Sequence, residues 1–85
     1  MLYLVELHYS RNTRDALLRY FDEHGVTPDQ PGISVVEGWV ATEEFIAYLI
    51  VKADSAAHLD AAVQKLRQFG QVTHRHVTSI EDLAQ

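Results

Sequence analysis

The alternation of apolar and polar positions marks out four strands and two main helices, and the run from Phe45 to Ala53 sets the frame for the rest. Phe45, Ala47, Leu49 and Val51 fall on one side of an extended chain and Ile46, Tyr48 and Ile50 on the other. Both faces are apolar, as in a central strand covered on both sides. Leu2 to Tyr9 is also rich in β-formers, with a greasy face of Tyr3, Val5, Leu7 and Tyr9 and a mixed face of Leu2, Leu4, Glu6 and His8. Ile33 to Val40 repeats that two-faced character, setting Ile33, Val35, Glu37 and Trp39 against Ser34, Val36, Gly38 and Val40. The link Ala41-Thr42-Glu43-Glu44 is short and polar, which predicts an antiparallel hairpin between this strand and the one that follows. Val72 to Val77 reads as a short fourth strand.

The helices have the longer period. After the capping candidates Ser10 to Thr13, the residues Leu17, Tyr20, Phe21 and His24 recur at i, i+3, i+4 and i+7 before Gly25. Asp54 or Ser55 caps a second helix whose stripe is Leu59, Ala62, Val63, Leu66 and Phe69, with Gly70 as its stop. Between helix 1 and strand 2, Val26 to Gly32 holds Pro28, Asp29, Gln30 and Pro31 and reads as a turn-rich connection. Thr78 to Leu83 looks like a capping box that opens a last helical turn.

The resulting order, β-α-β-β-α-β, has two crossovers and a central hairpin. It predicts one domain over residues 1–85 with an α+β, ferredoxin-like fold: a four-stranded antiparallel sheet in the order 4-1-3-2 with two helices on one face. If the helices take the side of Val5, Leu7, Val36, Leu49 and Val51, then Leu2, Leu4, Ile33, Val35, Trp39, Ile46, Tyr48 and Ile50 lie on a face that this chain leaves open. So much contiguous apolar surface predicts a homodimer in which a second copy covers that face, through a two-fold interface or a continuous α+β barrel.

Composition narrows the partners further. A chain of 85 residues buries only roughly 60% of the surface that its unfolded form exposes, so help from a second copy fits. The formal charge of −5, from 12 acidic and 7 basic residues, argues against nucleic acid, whose binding rests on phosphate neutralisation. The absence of cysteine removes disulfides, thiolate zinc sites and a Cys nucleophile, and suits the cytoplasm. No apolar run reaches the roughly 20 residues that span a membrane, and Met1 leads straight into strand-like sequence, so a soluble, unprocessed chain is expected.

Three stretches resemble the dimeric α+β barrel superfamily, and within it small uncharacterised domains similar to the family named for its Gly-Tyr-Asp motif. They are Gly38-Trp39 before the hairpin, Tyr48-Leu49-Ile50-Val51-Lys52-Ala53-Asp54 running into a helix, and Phe69-Gly70-Gln71-Val72-Thr73 opening the last strand. The triplet itself is absent; Thr42-Glu43-Glu44-Phe45 stands near its place. The superfamily includes cofactor-independent monooxygenases, isomerases, haem-degrading enzymes and ligand-sensing domains, so the resemblance implies a fold and leaves the function open.

Glu6, His8, His74 and His76 form the constellation closest to chemistry. Residues two apart share a strand face, so the two pairs, on antiparallel strands, are expected to converge on the open side. Three imidazoles and a carboxylate suit a transition metal, or a general base in which Glu6 orients His8 or His74; the same residues serve equally as cross-strand polar pairs. Trp39, Tyr48 and Glu37, with His76, are the candidate ligand contacts, and the two rings are also what an interface would select. Lys52 is expected to pair with Glu37. Arg11 and Arg14 beside a helix start are a weak anion signal, Glu43 and Glu44 read as solvated loop charges, and His24 and His58 as surface or boundary residues. No phosphate loop, nucleophile elbow or His-Glu-x-x-His motif occurs, and the reading calls for no cofactor.

Overall fold

A computed structural model describes residues 1–25 and 30–84. The elements are β1 (Leu2–Tyr9), α1 (Arg11–His24), β2 (Ile33–Val40), β3 (Ile46–Ala53), α2 (Ala56–Gln64), β4 (Gly70–Val77) and the single turn α3 (Ile80–Leu83). The turn-rich connection expected between Val26 and Gly32 lies partly outside the described residues.

Local chemistry sets the helix ends. At the start of α1 the Thr13 hydroxyl accepts from the Ser10 backbone N–H at 3.0 Å, and at its end the Gly25 N–H donates to the Phe21 carbonyl at 2.8 Å. Ser55 caps α2 by accepting from the His58 N–H at 3.2 Å, and its hydroxyl also meets His58 Nδ1 at 2.7 Å. His58 therefore belongs to the cap. Ser79 caps α3 in the same way, through the Asp82 N–H at 3.0 Å.

β1 pairs antiparallel with both β3 and β4, and β2 pairs with β3. The sheet order is β2-β3-β1-β4, the ferredoxin-like arrangement expected from the element pattern and counted here from the other edge. One face packs under α1 and α2 around Val5, Leu7, Leu17, Leu49, Leu59 and Val63. Burying each such aliphatic side chain contributes about 1.5–3 kcal/mol. A gap of about 30 Å3 between the helices and the sheet is lined by apolar groups such as Val5, Phe21, Leu49 and Val63. No helix among the described residues is long and apolar enough to cross a membrane.

Two boundaries differ from the periodic reading. α2 ends at Gln64 and does not run to Gly70; Leu66 and Phe69 reach the core from tight turns in which their N–H groups donate to Val63 and Leu66 carbonyls, each at 3.0 Å. Gly70 is thus no helix stop. It opens β4 opposite Tyr9, where a Cβ would penetrate the His8 backbone, and so any other residue there has to push the two strands apart.

β2 departs further. The ladder to β3 runs Ile33↔Ala53, Ser34↔Lys52, Val35↔Val51 and then Glu37↔Ile50, so Val36 is the extra residue of a β-bulge. The bulge changes which face the strand presents. Ile33 and Val35, expected on the open side, pack on the helix side, whereas Val36, expected in the core, is 57% exposed. The bulge keeps Glu37 on the same face as Lys52, but the expected ion pair between them does not form: Lys52 stands opposite Ser34, and Glu37 accepts from Trp39 Nε1 at 3.2 Å.

The two outer strands contrast in character. β4 alternates Gln71, Thr73 and Arg75 with His74 and His76, whereas β2 beyond its bulge exposes Val36, Trp39 and Val40. Gly70→Ala is expected to lower stability by about 1–3 kcal/mol, because the new methyl has to displace strand backbone. Urea denaturation measures this, and an unchanged midpoint would contradict the close approach of β1 and β4.

Candidate functional site

Residues opposite one another in an antiparallel ladder project from the same face, so the registers map the open side row by row. The first row across β2-β3-β1-β4 reads Ser34, Lys52, Leu2 and Val77, and the second Glu37, Ile50, Leu4 and Arg75. The third reads Trp39, Tyr48, Glu6 and Thr73, and Ile46, His8 and Gln71 follow on β3, β1 and β4. Apolar side chains fill most of the middle of this grid, and both outer columns are largely polar, with Ser34 and Glu37 beside Trp39 on β2 and Arg75, Thr73 and Gln71 after Val77 on β4. Leu2, Leu4, Ile46, Tyr48 and Ile50 are only half-buried, and Trp39 is 63% exposed.

Glu6 is the one acid within the central strands of that face. Its side chain is 22% exposed, and its Oε2 accepts from Thr73 Oγ1 at 3.4 Å and lies 3.7 Å from Arg75 Nη2. Both contacts are long, so they hold the carboxylate loosely and leave it able to accept from another donor. Tyr48 stands opposite Glu6 and His8 follows it on the same side of β1, where His8 is exposed.

His74 and His76 do not join them. They stand opposite Val5 and Tyr3, on the helix side of the sheet, so the expected convergence of three histidines with Glu6 does not occur. The cause is parity: Glu6 faces Thr73 in the ladder, which places even residues of β1 with odd residues of β4. The two imidazoles flank Tyr3 instead, at ring separations of 6.1 and 5.5 Å, and His74 Nε2 lies 3.5 Å from Asp60 Oδ1 on α2. Among the described residues no group of three His, Cys, Asp or Glu side chains is placed to hold a metal ion. Of the expected ligand contacts, Trp39, Tyr48 and Glu37 do share the open face, and His76 lies behind it.

Compared with known protein families, residues 1–85 match the domain of unknown function DUF3303. The chain belongs to this family. Neither the curated proteins nor the solved structures contain a match, and no comparison names the Gly-Tyr-Asp family.

Three partners in this DUF3303 domain escape a reading by residue type. Thr73 and Arg75 reach Glu6, and Asp60 reaches His74, across registers that only the folded ladder reveals. The signal that bears on them is Val72, which packs against the core opposite Leu7 and so assigns the even residues of β4 to the helix side. Because His8 and His74 lie on opposite faces with no shared partner, the destabilisations caused by His8→Ala and His74→Ala should add to within about 0.5 kcal/mol in the double variant. A double-mutant cycle by chemical denaturation checks this. A larger coupling would restore the convergent cluster.

Proposed function

We propose that the chain works as a homodimer whose two open sheet faces meet and enclose a small-molecule site around Glu6, Tyr48 and Trp39. The observation that carries this reading is the apolar centre of the open face, where Leu2, Leu4, Ile46, Tyr48 and Ile50 stand half-buried on neighbouring strands with no helix among the described residues packed over them. Contiguous apolar surface rimmed by polar groups is what an interface or a ligand site presents. A second copy is the natural cover, because a two-fold axis can set the polar β4 side of one face against the Glu37 and Trp39 side of the other. The resemblance to the dimeric α+β barrel superfamily supports the same assembly.

Within such a closed space Glu6 would be the main polar group, with Arg75 and Thr73 beside it and the rings of Trp39 and Tyr48 as wall. That combination favours a compact, largely apolar molecule with a hydrogen-bond donor for the carboxylate. An acid/base enzyme is the weaker reading, since His74 lies on the far face and only His8 remains beside Glu6.

Sedimentation velocity of the purified chain tests the assembly. The expected result is a species of twice the 9.7 kDa chain mass, converted to a monomer by Ile50→Glu with an unchanged circular dichroism spectrum. Native mass spectrometry of the same samples should find an organic molecule that leaves with the dimer. A wild-type monomer at micromolar concentration would overturn the reading, and a dimer without ligand would reduce it to a structural dimerisation module.

A further inference from the structure

The hairpin end of the sheet holds a half-open pocket of about 430 Å3, and none of the open-face residues mapped above lines it. Tyr9, Val40 and Phe45 form its apolar wall; Arg14 from α1 and Glu43 and Glu44 from the β2–β3 loop supply its charges. Its base is well fixed. The Tyr9 N–H donates to the Phe45 carbonyl at 3.0 Å, and the Ala41 N–H donates to the Ile46 carbonyl at 3.0 Å, so both ends of the loop are tied to the sheet. The Tyr9 and Phe45 rings meet edge to face at 5.8 Å, yet Phe45 remains 41% exposed and offers apolar surface to an occupant.

The charges around this cavity do not neutralise one another. Arg14 has its nearest acid in Asp15, at 3.6 Å on the surface, a type of pair worth little. Among the described residues no ion pair joins Arg14 to Glu43 or Glu44, although all three line the same space. An anion alone would satisfy Arg14 but meet the glutamates, and a cation alone would meet the guanidinium. A small zwitterion satisfies both signs at once. Arg14 can take a carboxylate with two parallel donors, the glutamates an ammonium, and the wall of Tyr9, Val40 and Phe45 an aliphatic or aromatic side chain. The volume lies within the usual range of small-ligand sites, about 300–1,000 Å3.

We propose that this cavity binds a free α-amino acid with an apolar side chain. The site is complete within one chain and does not depend on the dimer. Titration calorimetry of the full chain with L-leucine and L-phenylalanine should show saturable binding. Leucinamide, which lacks the carboxylate, and N-acetyl-leucine, which lacks the ammonium, should each bind about tenfold more weakly or worse. Arg14→Gln should weaken leucine by a similar factor and abolish the preference for leucine over leucinamide, whereas Arg67→Gln, exposed elsewhere, should bind as the wild type does. No saturable heat with either amino acid overturns the proposal. So does leucinamide binding as tightly as leucine, a comparison that needs no variant to fold.

Discussion

Two crossovers of the same hand place both helices on one side of the sheet, so an 85-residue chain of this topology has one face it can bury and one it cannot. Everything else in the molecule follows from that division. β1 and β3 lie at the centre and have to serve both environments at once, packing Val5, Leu7, Leu49 and Val51 under the helices while turning Leu4, Glu6, Tyr48 and Ile50 the other way. The buried side must outweigh the conformational entropy of the whole chain, at roughly 1–2 kcal/mol per backbone residue, with only a small core to do so. Further stabilisation has one obvious source, the apolar surface still in contact with water.

The architecture was legible because the central strands are unambiguous. Phe45 to Ala53 is apolar on both faces, and the stripe of Leu59, Ala62 and Val63 has no plausible reading but a helix; together with the hairpin they leave few topologies. The outer strands were not legible in the same way, and physics explains the difference. Strand register is strongly specified only where one face must be buried. β4 is polar on both faces, with His74 and His76 on one and Gln71, Thr73 and Arg75 on the other, and its valines, Val72 and Val77, fall on opposite parities, so alternation alone cannot assign its sides. In β2 the phase changes at Val36 without a glycine or proline to mark it, and Ile33 and Val35 moved to the core while Trp39 stayed outside.

Chemistry read by residue type shares that weakness. Four residues of promising kind on two neighbouring strands form one site or two unrelated pairs according to a single step of register, and here they form two. Glu6 gains Thr73 and Arg75 as neighbours in place of the histidines, which changes its surroundings from a cluster of titrating bases to a weakly held carboxylate on a greasy wall. The cavity beside Phe45 was invisible for a different reason. Its lining comes from the end of β1, the first turns of α1 and the hairpin loop, so no spacing along the chain brings Arg14 together with Glu43 and Glu44.

The unlike outer strands also limit how this protein can self-associate. Exposed apolar edges invite strand addition, and charged or polar ones discourage it. A fibril grown by adding strands needs a receptive edge at each end of every subunit, and this sheet blunts both, β4 with Arg75, His74 and His76 and β2 with its bulge and Glu37. A pair formed through the open faces would use neither edge, so those same devices would keep it from growing by strand addition.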